Sequence, residues 1–98
     1  MTYPPDTAIL VQHLDLARDP GRAAPRVAVK DCLAIAGTRT GCGSAAFDEA
    51  APEAHHAAVV EALLAAGCRI VGKANMHELA YGVTGANAHT GTPRHPLN

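Results

Sequence analysis

Two lysines, a single serine, six histidines and three cysteines are among the side chains through which this sequence could do proton-transfer, nucleophilic or metal chemistry. Lys30 ends the run Arg26-Val27-Ala28-Val29-Lys30, and Lys73 ends the run Cys68-Arg69-Ile70-Val71-Gly72-Lys73. A lysine closing a strand is ordinarily a solvated residue. It works as a base only as the neutral amine, a form favoured by burial or by a neighbouring positive charge. Lys73 is expected to be such a neighbour for Lys30. Ser44 lies in a glycine-rich loop, where a serine usually bonds to its own turn. As a nucleophile it would need an activating base within hydrogen-bond reach.

Several shorter patterns resemble known motifs and fail on inspection. Gly67 to Lys73 has the spacing of a phosphate-binding loop, but Ala74 follows where a magnesium-binding hydroxyl is needed. Ile70 and Val71 also favour a strand over an anion cradle. Gly41 to Ala46 mimics a dinucleotide fingerprint without a strand before it or an apolar-striped helix after it. His77-Glu78 begins like a zinc-protease helix, yet the position four beyond His77 is Tyr81. The other histidines are scattered, with His55 and His56 expected on an exposed first helical turn, so no metal site is expected. Cys32, Cys42 and Cys68 are odd in number and contain no Cys-x-x-Cys, and they read as buried, reduced thiols.

The elements that must hold these groups follow from pattern. Residues 8–16 fit a strand or a short helix, and alternation around Gln12 with the β-branched Ile9 and Val11 favours the strand. Asp19-Pro20-Gly21 signals a turn. Residues 26–30 read as a short buried strand, and 33–36 as a second extended piece. Residues 37–52 read as loop. Glu53 to Ala66 predicts a helix, with Pro52 suited to its first turn and Gly67 to its C-cap. Its stripe pairs Val59 with Leu63 and Val60 with Leu64. Residues 68–72 predict a strand, 75–81 a short helix, and the chain from Gly82 onward a loop. A strand, a crossover helix and a second strand favour a parallel pair, with Lys30 and Lys73 at its carboxyl edge, where ligands bind in open α/β sheets.

Composition narrows the class. A length of 98 residues allows one domain or part of one. Nearly half the sequence is apolar (48%), but much of that is alanine and only 3% is aromatic. Alanine brings little area to a core, so the core is expected to be completed by something else. Charged residues at 17% with so much apolar content exclude full disorder. A net charge of −1 gives no footprint for nucleic acid. Met1 to Asp6 lacks a basic secretory n-region, and Val59 to Ala66 is too short to span a bilayer. A cytoplasmic, non-membrane protein is the resulting expectation.

Several blocks, in order, resemble the amidase signature family. They are Val27 to Asp31, then Ala36-Gly37-Thr38 with Thr40, then Gly43-Ser44, and then Ala65 to Glu78. The tail Thr84 to Arg94 is similar to the family's run into its catalytic loop. The similarity runs from about residue 26 to the end, leaving 1–25 as a variable N-terminal segment of one partial domain.

The resemblance implies an α/β fold, here a βαβ fragment of an α/β/α mixed-sheet protein. It implies amide C–N hydrolysis by a Ser–Ser–Lys triad with no cofactor and no metal. In that scheme Lys30 takes a proton from a bridging serine in a cis peptide, which deprotonates the nucleophilic serine, and Gly-rich backbone N–H groups hold the oxyanion. Ala80, Tyr81 and Gly82 would approach the acyl pocket. The implied partner is a small-molecule amide substrate in the complete enzyme.

Three departures from the family pattern are mild: Cys32, Ala74 and His95 before Pro96. The larger one is that the Gly-Gly-Ser-Ser-Gly stretch is not among these residues, and Ser44 cannot replace it. The 98 residues are therefore expected to be inactive alone. The alternatives are a non-catalytic module that docks on a protein partner or completes a split enzyme, and a truncated product lacking its C-terminal remainder.

Overall fold

A computed structural model describes residues 8–95; the expectations for Met1 to Asp6 and for the Pro96 to Asn98 end lie outside that range. Three strands form one mixed sheet in the order β1-β3-β2. They are β1 (Leu10–Leu16), β2 (Arg26–Lys30) and β3 (Arg69–Ala74). The strand reading of 8–16 holds, and β1 pairs antiparallel with β3. The expected parallel pair is also present, with β2 beside β3 and Lys30 opposite Ala74. Gly72 is required where β1 crosses, because a Cβ there would strike Gln12 O and Leu10.

One helix, α1 (Ala58–Ala65), lies in the crossover. Val60 and Leu64 are its buried residues, and they join Val29, Ile35 and Ile70 in the core. Leu63 packs partly against this cluster, whereas Val59 is 47% exposed and so stands outside the apolar stripe. Gly67 adopts φ +90°, a left-handed backbone that suits glycine. Cys68 N–H then reaches Leu63 O and Gly67 N–H reaches Leu64 O, which satisfies two end carbonyls.

Two helical expectations need correction. The helix begins at Ala58 rather than Glu53. Residues 53–57 instead line up against 34–38, through Gly37 N–H to Glu53 O, Glu53 N–H to Thr38 O and Ala57 N–H to Ala34 O. His56 is therefore not on an exposed helical turn; its Nδ1 accepts from Ala36 N–H at 3.0 Å. The extended piece expected at 33–36 does not form a strand: Leu33 is a bend and Ala36 lies in a turn, with the segment anchored by these bonds. The second correction is at 75–81, where only a 3-10 turn forms (Glu78–Ala80), with Leu79 and Ala80 at φ 52° and 61°. Left-handed backbone at two successive non-glycine residues is incompatible with a continuous α-helix.

The sheet is covered unevenly. On β2, Val29 is buried and Val27 half-buried, while Arg26, Ala28 and Lys30 are exposed. By the two-residue pleat, the Lys30 face of β2 is open to solvent. No helix among the described residues is long and apolar enough to cross a membrane.

Candidate functional site

Lys30 is the last residue of β2, and its backbone is fixed on both sides. Asp31 N–H bonds to Ala74 O at 3.0 Å, carrying the ladder one residue further, and Leu33 N–H bonds to Lys30 O at 2.9 Å, closing the turn. The Lys30 side chain is exposed, and its amine makes no hydrogen bond or ion pair with the other described residues. A rigid backbone thus presents an uncommitted amine at the carboxyl edge of the parallel pair.

Lys73 is the reverse. It is 0% exposed, and its Nζ donates to Arg39 O at 3.1 Å. The same nitrogen lies 3.1 Å from Asp31 Oδ1, whose side chain is 6% exposed. That oxygen lacks an aligned donor, so the lysine–aspartate contact is held by charge rather than by a directed bond. The cause of this burial is a register shift. Val27 pairs with Ile70 but Ala28 pairs with Gly72, leaving Val71 as an extra residue. A bulge changes which face the following side chains take. Lys73 consequently stands opposite Val29, on the face that Lys30 turns away from. The expectation that Lys73 acts on Lys30 as a free like charge is therefore corrected: Asp31 partners its charge.

Two asparagines shape the chain beyond β3. Asn75 Nδ2 donates to Ala8 O at 3.0 Å and Gly91 O at 2.8 Å, and its Oδ1 accepts from Met76 N–H at 2.8 Å and Thr90 Oγ1 at 2.7 Å. Asn87, 9% exposed, donates to Gly43 O at 2.8 Å and Met76 O at 2.9 Å. Its Oδ1 accepts from His89 N–H at 2.8 Å and Thr90 N–H at 3.0 Å. An amide offers two donors and an acceptor on one small side chain, so each asparagine can staple several loop strands at once. The sequence assigns neither position a role, because their partners are backbone groups distant along the chain.

The stretch expected to approach an acyl pocket lies in the turn after His77. Tyr81 is 88% exposed and Ala80 exposed, and Gly82 is half-buried against the His77 ring, which a Cβ at that position would strike. His77 Nδ1 is buried without a hydrogen-bond partner. Leu79 N–H bonds to Cys42 O at 2.9 Å, tying the turn to the 41–43 loop. No hydrogen bond joins Lys30 to Ala80, Tyr81 or Gly82.

Ser44 is buried, and its Oγ accepts from Ala46 N–H at 3.2 Å, capping the 3-10 turn Ala45–Phe47. That is the turn role anticipated for it. The thiol reading is corrected in part. All three cysteines are free, but Cys32 is exposed and Cys42 and Cys68 are only half-buried. Among the described residues no group of three His, Cys, Asp or Glu side chains could hold a metal ion. A cleft of about 390 Å³ lies over Asp31, Arg39, Gly41, Ser44, Asp48 and His89, and Lys30 is not among its lining residues. The His89–Asp48 pair at 2.8 Å borders it.

The chain as a whole has counterparts elsewhere. A family model described as Amidase matches residues 26–98. A glutamyl-tRNA(Gln) amidotransferase subunit from Azotobacter vinelandii is 44% identical over 73 residues, which is 74% of this chain and 15% of that protein. The mandelamide hydrolase of Pseudomonas putida is 44% identical over 61 residues, 62% of this chain and 12% of that one. Among solved structures, a glutamyl-tRNA(Gln) amidotransferase subunit from Thermotoga maritima superposes with a TM-score of 0.74 at 26% identity, over 96% of this chain and 22% of its own. The chain thus spans less than a quarter of the length of each of these relatives.

Proposed function

The chain belongs to the amidase family, and from that premise we propose that it carries the proton-relay lysine of an amide-hydrolysing site. Lys30 is that lysine. The hydroxyl groups it serves lie outside these 98 residues, since Ser44 is the only serine here and is committed to a turn. As the free amine, Lys30 Nζ accepts a proton from a bridging serine hydroxyl. That serine takes the proton of the nucleophilic hydroxyl, whose oxygen attacks the amide carbon. The proton then passes to the departing amine as the C–N bond breaks, and water repeats the sequence to release the acid. Ala80, Tyr81 and Gly82 would meet the acyl portion of a small amide substrate.

The observation that carries this reading is the uncommitted amine of Lys30 on a backbone fixed at the ligand edge, beside a second lysine already partnered. The test joins these residues to the remainder of a full-length relative and compares amide turnover with and without Lys30→Ala. The relay predicts a loss of about 10²–10⁴-fold in kcat. Turnover that survives Lys30→Ala contradicts it. The 98 residues alone are expected to hydrolyse no amide.

A second reading, docking on a protein partner, draws on the exposed Phe47, Val59, Leu79, Tyr81 and Val83. It predicts dye binding and association in size-exclusion chromatography. A monomer that ignores the dye argues against it.

A further inference from the structure

Two residues beyond Lys30, the turn that leaves β2 brings the backbones of two cysteines close together. Cys42 N–H donates to Asp31 O at 3.2 Å. In a trans peptide that oxygen lies on the same side as the next α-carbon, which belongs to Cys32. Bond lengths along this path hold the α-carbons of Cys32 and Cys42 about 5–7 Å apart, overlapping the roughly 4.4–6.8 Å that disulfides bridge. Cys32 is exposed and Cys42 half-buried, and neither is bonded to another cysteine.

We propose that Cys32 and Cys42 are a modification site, a dithiol that closes reversibly to an intrachain disulfide when it meets a small-molecule disulfide oxidant of the oxidised-glutathione type. This does not depend on the amide-hydrolysis reading. Burial, followed by the nearby Cys32 and Asp31, pushes the Cys42 thiol up, with Lys73 opposing. Exposed Cys32 is accordingly the entry point. Its thiolate attacks one sulfur of the oxidant, forming a mixed disulfide and releasing one small thiolate. Cys42 then gives its proton to water and attacks Cys32 Sγ, expelling the second small thiolate. The protein loses two hydrogens and two electrons, and the oxidant becomes two thiols. Cys68 stands just before Arg69, at the opposite end of β3 from Ala74, which bonds Asp31, and has no part in the exchange.

The bridge would cross-link the β2 exit turn to the 41–43 loop. That loop already holds Leu79 through Cys42 O and Asn87 through Gly43 O. Oxidation would thus reinforce a junction of four segments: the β2 exit turn, the 41–43 loop, the Leu79 turn and the Asn87 loop.

The test equilibrates the protein in oxidised and reduced glutathione, blocks remaining thiols, and maps peptides without reduction. The expected result is a Cys32–Cys42 linked peptide about 2 Da lighter than the sum of its parts, with Cys68 still alkylated, reversed by excess dithiothreitol. In Cys42→Ser, Cys32 is expected to stop at the glutathione adduct. The proposal is overturned if wild-type Cys32 also stops there with Cys42 free. A Cys32 bridge between two chains, or a link to Cys68, overturns it equally.

Discussion

Lys30 and Lys73 are the only lysines in the chain; Lys30 ends β2, and Lys73 is the last residue but one of the parallel neighbour β3, near the same edge. Their surroundings are opposite. Lys73 is sealed from water and held between a carboxylate and a carbonyl. Lys30 is exposed and holds nothing among the described residues. The same residue type therefore stands in two opposite environments, and the difference arises from a single extra residue in β3. With uninterrupted pairing, Ile70 facing the core would put Lys73 on the opposite face. The shift at Val71 instead brings both inward. A buried ion pair of this kind is not a strong source of stability in itself, but removing one member strands the other charge. One lysine is thereby fixed as structure, and the other is left without a partner among the described residues.

That contrast breaks most visibly at Lys73. Lys73→Met leaves the Asp31 carboxylate buried beside an apolar side chain and is expected to cost about 3–5 kcal/mol in urea unfolding. Adding Asp31→Asn removes the stranded charge, and should return part of that loss. A Lys73→Met protein as stable as wild type would show the pair to be dispensable.

Asn87→Ala comes next. It deprives two buried carbonyls and two N–H groups of their partner, and about 1–3 kcal/mol should be lost with faster amide exchange in residues 87–90. Unchanged exchange there would remove the staple role. Gly67→Ala forces a side chain into left-handed backbone and is expected to cost about 1 kcal/mol in thermal unfolding. Smallest of all, Lys30→Ala should shift unfolding stability by no more than about 0.5 kcal/mol, since nothing leans on that side chain. A large destabilisation by Lys30→Ala would erase the distinction between the two lysines.

The parts legible in the sequence are those whose signals are local. Strands 26–30 and 68–72 stand out as β-branched runs bounded by turn residues, the second running on to Ala74 in the structure, and Gly67 marks the helix end by the conformation it alone adopts easily. The helix start is not legible, because Glu53 to Ala57 has ordinary helical composition, yet its backbone is drawn off to pair with residues 34–38 and His56 caps Ala36 N–H. Tertiary partners outweigh propensity there. The short helix expected at 75–81 does not form for a related reason. Asn75 and Leu79 bond outward to distant loops, and the backbone turns left-handed at Leu79 and Ala80. The place of Lys30 at the end of β2 is legible from the strand pattern. The Lys73–Asp31 pair is not, because no residue type announces the bulge that turns Lys73 inward.

With only two side-chain lysine amines, competitive acylation read by mass spectrometry reports each one separately in the native protein. The structure predicts that Lys30 is modified at the rate of a lysine in an unstructured peptide. Lys73 should react only through global opening, on the order of 10³-fold slower or more, and should catch up in denaturant. Comparable native rates at the two sites, or faster reaction at Lys73, would contradict the division between a structural and a chemically free lysine.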